Sequence, residues 1–509
     1  MSEASGPSDN LLDALRGRAM ARNTVWNAVG QFTPLLIAVF AIPLLIRKLG
    51  VDRFGILTLA WVLVGYFSFF DLGLGRALTK VVSDRLAAGK QRELAGAVWS
   101  ALTMMLGLGT VFAIGISLSS NWLAGSLLKV PPALFHETVK SLYVLAVSVP
   151  IITLISGLRG VLEAGHHFAM VNAVRVVMGA FSFLGPLLAA FFSPSLFPVI
   201  TVLVAGRLVS ALAYFLMCLH TTPSLKTGFF FDRSAVPELM STGSWIMVSN
   251  LVGPVMTYLD RFLITYFLSV SVVAYYTTPF ELVTKLWLVP TSIGAVLFPA
   301  FAALAVIDQQ KLKLTYARGV RSCFVLLFPI VFLIVLFAPE GLRLWLGPVF
   351  AAKSTIIVRW LALGVLINSL AQIPYALLQA VHRPDLPGKV HLVEVPLYIA
   401  AAALAIHNWG LPGAAAVWAL RLCLESLVLF FLARRILVPR ALSPGFLAIV
   451  SVAIALLVGA TFEAGLVTKV LSAAVVLALY VVAAWRLALE DQERNHLRAL
   501  LTSFTLSSE

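Results

Sequence analysis

The chain has 509 residues, of which 60% are hydrophobic and 12% charged, with a mean hydropathy of +0.96 and a formal charge of +14. This composition excludes an ordinary soluble domain and indicates a polytopic membrane protein. No basic soluble domain accompanies the positive charge, so nucleic acid is excluded as a partner, and Cys218, Cys323 and Cys423 lie scattered in apolar runs without disulfide or metal-ligand spacing.

Residues 1–22 are polar and are expected to form a cytoplasmic N-terminal segment; the apolar run after them is too long for a signal peptide and is retained as a helix. Hydropathy predicts fourteen spans, at about 24–46, 55–75, 94–118, 139–158, 171–192, 196–219, 244–267, 272–299, 320–338, 354–381, 390–406, 411–432, 444–462 and 466–486. The expected fold is all-α. Two pseudo-symmetric six-helix lobes, 23–230 and 231–435, precede two further helices and a cytoplasmic tail in 436–509. Most Lys and Arg residues fall in alternate loops and the tails, including Arg76, Lys80, Arg85, Lys311, Lys313, Arg434 and Arg435. That bias predicts both termini in the cytoplasm. The longest external loop, Ser119 to Lys140, and the longest internal one, His220 to Gly243, are too small to hold a catalytic domain, so no enzyme activity is expected.

Two spans carry an arginine at mid-depth. Arg207 lies within Leu196–Leu219 and Arg421 within Leu411–Leu432, and the pattern Pro198…Arg207-Leu208 recurs 214 positions later as Pro412…Arg421-Leu422. Arginine at the centre of a spanning helix costs on the order of 3 kcal/mol, so such a residue faces a bundle interior or a wet cavity. The first helices of the two halves also match, at a constant shift of 219: Trp26 with Trp245, Leu49 with Leu268, Val51 with Val270 and Thr58 with Thr277. Six spans per half preserve orientation, which places the pseudo-twofold axis along the membrane normal.

The other intramembrane charges concentrate in the second half. Span 7 carries Asn250, Gly253, Thr257 and Arg261 in one helical stripe, with Asp260 beside it. Span 8 carries Glu281 and Lys285, and span 12 carries Arg421 and Glu425; both pairs have the spacing of intrahelical ion pairs. Asp71 ends span 2 as an interfacial or gating residue, and Glu394 lies early in span 11. His166 and His167 read as solvated loop residues.

The motifs Asn23–Gly30 (NTVWNAVG), Leu49–Gly55 (LGVDRFG), Asp71–Gly75 (DLGLG), Tyr258–Leu263 (YLDRFL) and Gly410–Ala415 (GLPGAA) give the chain a resemblance. It resembles the polysaccharide-biosynthesis flippases of the multidrug/oligosaccharidyl-lipid/polysaccharide exporter superfamily. The resemblance implies twelve to fourteen helices, alternating access, and movement of an undecaprenyl-pyrophosphate-linked oligosaccharide to the periplasmic leaflet of a bacterial inner membrane. Lipid II flippases of the superfamily carry charged lumen residues in their first helix, whereas Thr24 to Ile46 has none. Multidrug exporters usually stop at twelve spans. Arginine suits the flippase cargo, because its planar fork binds phosphate oxygens and stays protonated. Arg207, Arg421, Arg261 and Lys285 are the expected substrate-binding residues; Asp260, Glu281, Glu425, Asp71 and Glu394 are expected in ion coupling or gating, with a proton or a sodium ion as the coupling ion. No other cofactor or metal is expected. The expected partners are the lipid-linked oligosaccharide, the bilayer, and the pathway's polymerase and chain-length regulator.

Overall fold

A computed structural model describes residues 7–66, 71–381, 383, 385–436, 441–462 and 465–483. Side chains are described from residue 33 onward, except 65–66, 91–92, 227, 242–255, 257 and 436. The stripe through Asn250, Gly253 and Thr257 falls outside the described side chains, and the predicted tail beyond 483 falls outside the described residues.

The described chain is helical: α1 Pro7–Tyr66, α2 Leu74–Ala87, α3 Gln91–Trp122, α4 Phe135–Ala164, α5 Phe168–Phe192, α6 Leu196–Thr221, α7 Ala235–Phe267, α8 Val270–Val283, α9 Leu288–Ile307, α10 Gln309–Leu336, α11 Ala338–Leu346, α12 Pro348–Ala380, α13 Asp385–Ile436, α14 Pro444–Gly459 and α15 Leu466–Ala483. Ten stretches among the described residues are long and apolar enough to cross a membrane.

Two predicted loops prove to be kinks inside continuous helices. α1 reverses at Gly50 (φ 78°, ψ 165°) and α13 at Gly410 (φ 63°, ψ −141°). These are conformations that residues with a Cβ rarely adopt, so glycine allows adjacent spans to join without a loop. The second helix of each half is interrupted. α8 passes through a tight turn at Thr284–Trp287 before α9, and α2 starts after a turn in which Leu72 and Gly73 take positive φ. The sequence predicts span 2 to end at residue 75 with Asp71 at its cytoplasmic face; the structure starts a new helix, α2, just after Asp71 and carries it to Ala87. Asp71 is buried and accepts hydrogen bonds from Gly73 N (2.8 Å), Gly75 N (3.3 Å) and the Ser156 hydroxyl (2.7 Å). The carboxylate therefore holds α2's first turn and ties it to α4.

The chain forms two compact units. One runs to Tyr258 and includes Ser269–Ala274; the other contains Leu259–Leu268 and the chain from Tyr275 onward. In the first unit α4 packs on α2, α3 and α6, with small residues letting backbones approach: a Cβ at Gly160 would sit 2.5 Å from Thr79 Oγ1. At the opposite end of α4, Glu137 accepts from Leu196 N and Ser195 Oγ and pairs with Arg53 at 3.0 Å, capping α6. In the second unit α12 packs on α10, α11 and α13. The additional helices α14 and α15 dock on α10 through aromatic rings, with Phe446 5.6 Å from Phe324 and Tyr480 4.7 Å from Phe328. Lys469 of α15, almost fully buried, reaches Glu340 of α11 at 2.8 Å.

Candidate functional site

The charges expected within the membrane are divided between the two units. In the second unit, the C-terminal part of α7 buries Asp260 and Arg261 completely. Adjacent residues on a helix point in different directions, so the two make different contacts. Asp260 accepts from the Tyr276 hydroxyl of α8 and from Arg261 N at 2.8 Å. The Arg261 guanidinium donates to Glu281 Oε1 at 2.9 Å and lies 4.8 Å from the centre of the Phe280 ring. Glu281 also faces Lys285 one turn on, at 3.7 Å. The expected Glu281–Lys285 pair is present, but Arg261 makes the shorter contact.

The kink at Gly410 folds α13 back on itself and brings its two halves together. Arg421 from the second half faces Glu394 from the first, with Nε 3.7 Å from Oε1, and its guanidinium packs 4.9 Å from the Tyr398 ring centre. Arg421 had been expected to pair with Glu425 on its own helix; its observed ion pair crosses the kink. Glu425 lies against His391 Nε2 at 3.9 Å, while His391 Nδ1 lies 3.4 Å from Glu394 Oε2. Asp260 and Tyr276 thus join α7 to α8, while Arg421, Glu394 and Tyr398 join the two arms of α13. His391, Glu394 and Glu425 bring their ligand atoms within 4.8 Å of one another, but the Arg421 cation already stands against Glu394. A tethered guanidinium thus takes up charge that a bound cation would otherwise neutralise.

The first unit holds Arg207, on α6. Its neighbour Gly206 packs against Phe181 of α5, and its side chain is half-buried. Among the described residues Arg207 makes no ion pair; Tyr214, two turns along α6, lies within its electrostatic range. The two arginines repeat in sequence but not in setting. Arg421 is buried against a carboxylate and a ring, while Arg207 is half-buried and makes no ion pair among the described residues.

Sequence reasoning did not single out Tyr276, Tyr398 or His391. A tyrosine in an apolar span looks like packing until its partner is known. His391 did carry a signal, standing three residues before Glu394 on the same helical face.

Residues 20–305 match the family described as polysaccharide biosynthesis protein. A candidate O-antigen transporter of Shigella flexneri is 28% identical over 418 residues, covering 82% of this chain and 98% of the relative. A candidate low-salt glycan biosynthesis flippase of Haloferax volcanii is 24% identical over 392 residues, covering 75% of this chain and 76% of that one. Among solved structures, the lipid II flippase MurJ in an inward closed conformation superposes with a TM-score of 0.70 at 13% identity, over 90% of this chain and 98% of that one. An inward-facing multidrug resistance MATE transporter gives 0.66 at 14% identity, over 80% and 97%. At such identities these two show the fold alone. With its all-helical architecture and a match across more than half its length, the chain belongs to the polysaccharide biosynthesis protein family.

Proposed function

We propose that this chain is a flippase that carries undecaprenyl-pyrophosphate-linked oligosaccharide from the cytoplasmic to the periplasmic or outer leaflet by alternating access, for O-antigen or exopolysaccharide assembly. The observation that carries this reading is Arg207: a half-buried arginine within an apolar spanning helix, with no ion pair among the described residues. Such a cation suits a phosphate that must cross hydrocarbon. The named relatives support the substrate class, since they are transporters and flippases of glycan pathways.

Lys285 is a further substrate-facing cation in this reading, and Arg421 and Arg261, buried against Glu394 and Glu281, join it in substrate binding only when those pairs open. Asp260, Glu281, Glu394 and Glu425 are the carboxylates that couple transport to a proton or sodium gradient, and Asp71 is a gating residue at the start of α2. The protein sits in a bacterial cytoplasmic membrane with both termini inside, performs no covalent chemistry, and serves the pathway's polymerase and chain-length regulator.

The test is reconstitution. Proteoliposomes loaded with a fluorescent undecaprenyl-pyrophosphate oligosaccharide should move it between leaflets, measured by quenching from outside, and faster under an imposed proton or sodium gradient. Movement no faster than in protein-free liposomes under either gradient would overturn the proposal.

A further inference from the structure

A second cationic group lies in the first unit, nearer the helix ends than Arg207 and on the same set of helices. α4 ends at Ala164, a short turn through Gly165–His167 follows, and α5 begins at Phe168; the C-terminal end of α6 returns to this same end of the unit. Arg159 is five residues from the end of α4 and Arg175 seven from the start of α5, each about 8–10 Å along its helix. Both face one carboxylate oxygen. Glu163 Oε1 is 3.4 Å from Arg159 Nε and 3.8 Å from Arg175 Nη2. Neither contact is a close bidentate pair, and the side chains of Arg159 and Arg175 stay 42% and 58% exposed.

Tyr214 ties α6 to α5, its hydroxyl donating to Val171 O at 3.2 Å. Arg207 is fourteen residues from the end of α6, about 20 Å along the helix, so it stands roughly 10 Å deeper than the other two arginines. Arg159 and Arg175 share one carboxylate, Glu163, with neither contact bidentate, and Arg207 makes no ion pair among the described residues. The oxygens of a diphosphate diester offer such guanidiniums fuller hydrogen-bonding contacts.

We propose that Arg159 and Arg175, bridged by Glu163, form a diphosphate-receiving subsite that loads the headgroup onto the deeper Arg207. The assignment rests on the flippase reading above for its direction, with this end of the unit facing the cytoplasm. Glu163 acts as a placeholder: it holds the two forks together while the subsite is empty and yields to phosphate oxygens that offer bidentate contacts. The ligand chemistry is a lipid-borne diphosphate. An ordinary anionic phospholipid headgroup offers a similar charge, and the experiment separates the two.

The full chain is placed in nanodiscs of phosphatidylcholine and titrated with farnesyl diphosphate and farnesyl monophosphate, for the wild type and the variants R159Q, R175Q, R207Q, E163Q and the double lysine variant R159K/R175K. R159Q and R175Q are each expected to weaken diphosphate binding about five- to tenfold, a modest loss because both side chains are partly exposed. E163Q is expected to tighten it several-fold by freeing both guanidiniums, the double lysine variant to recover part of the loss, and the monophosphate to respond less. Melting temperatures identify any variant whose loss comes from misfolding, and the tightening in E163Q is a change misfolding does not produce. Unchanged affinity in R159Q and R175Q, with R207Q still weakened, would remove the subsite and leave the flippase reading intact. Loss of the Arg159 and Arg175 dependence when phosphatidylglycerol is added would assign the site to bilayer headgroups instead. No diphosphate binding by the wild type would overturn the subsite and the carrier reading with it.

Discussion

Arg261 Nη2 donates to Glu281 Oε1 at 2.9 Å across α7 and α8, with the arginine side chain 1% exposed and the glutamate 45% exposed. The two ends of this bond have unequal consequences if removed. Glu281→Gln weakens the closest anionic partner of a buried guanidinium, whereas Arg261→Met leaves a carboxylate that still faces Lys285 at 3.7 Å. Glu281→Gln should therefore lower stability by about 1–3 kcal/mol, discounted for the exposure of the glutamate, and Arg261→Met should lower it less. Thermal unfolding of the purified variants in detergent checks the order. Equal melting temperatures for the two would contradict it.

Arg421 and Glu394 allow a sharper test of pairing. The contact crosses the Gly410 kink, so suppression should be specific: Glu394→Gln should restore the abundance lost in Arg421→Ala, and Glu425→Gln should restore it less. A coupling energy of about 1–2 kcal/mol between positions 394 and 421 is expected, from a buried pair at 3.7 Å without ideal hydrogen-bond geometry. Rescue by Glu425→Gln alone would place the working pair on one helix, as the spacing of Arg421 and Glu425 first suggested.

That contrast shows what the sequence can carry. Apolar runs announced the spans, because every intramembrane helix must satisfy its own backbone and bury or expose apolar side chains. That Arg207, Asp260, Arg261, Glu281 and Arg421 lie within long apolar helices could be read directly from those runs. Partners were legible only along one helix, where a four-residue spacing fixes proximity, as for Glu281 and Lys285. Arg261–Glu281, Tyr276–Asp260, Arg421–Glu394 and Lys469–Glu340 all join different helices or the two arms of a kink, and helical periodicity says nothing about which helix lies opposite. The kinks were hidden for a related reason: Gly50 and Gly410 sit among residues that read as short loops, and only backbone geometry distinguishes a sharp reversal from a loop. α2 was hidden because Arg76, Lys80 and Arg85 make its sequence look like a cytoplasmic segment.

Gly50 and Gly410 should resist substitution for a conformational reason. A Cβ at Gly50 would meet nothing within 4 Å, so steric crowding plays no part there, yet φ is 78°. Gly50→Ala and Gly410→Ala are each expected to destabilise by about 1–3 kcal/mol. Gly341→Ala in α11 is the control, since that position is also open but has ordinary helical φ. Melting temperatures that fall equally in all three variants would disprove the conformational account.

Lys469 and Glu340 predict a similar asymmetry at the attachment of the last two helices. Lys469 is 2% exposed and Glu340 37% exposed. Glu340→Gln strands a buried ammonium and should reduce folded protein more than Lys469→Met, which leaves a glutamate able to reach water. The double variant should return close to wild-type abundance, because no buried charge is then left without its counter-ion. Fluorescence-detected size-exclusion profiles of tagged protein provide the measurement, and a double variant as poor as Glu340→Gln would show that the pair matters for more than charge balance.

The last prediction uses the difference between Arg207 and Arg421, which occupy matched places in the two halves. Arg421 is buried against Glu394 and Tyr398; Arg207 is half-buried and forms no ion pair among the described residues. Removing Arg421 therefore disturbs a network, while removing Arg207 disturbs little that holds the fold. Arg207→Ala should keep near-normal abundance but reduce transport roughly tenfold or more, the loss of one charge-assisted contact to phosphate. Arg207→Lys should recover part of the activity, restoring charge without the planar fork. Arg421→Ala should lose abundance first. Accessibility separates the two without a transport assay. With Cys218, Cys323 and Cys423 changed to Ser, cysteine placed at 207 should react with a charged thiol reagent, and cysteine at 421 should react much more slowly. Labelling at 421 but not at 207 would reverse the assignment, and failure of both to react from either side of the membrane would mean that no water reaches the arginines and that Arg207 holds the fold rather than the cargo.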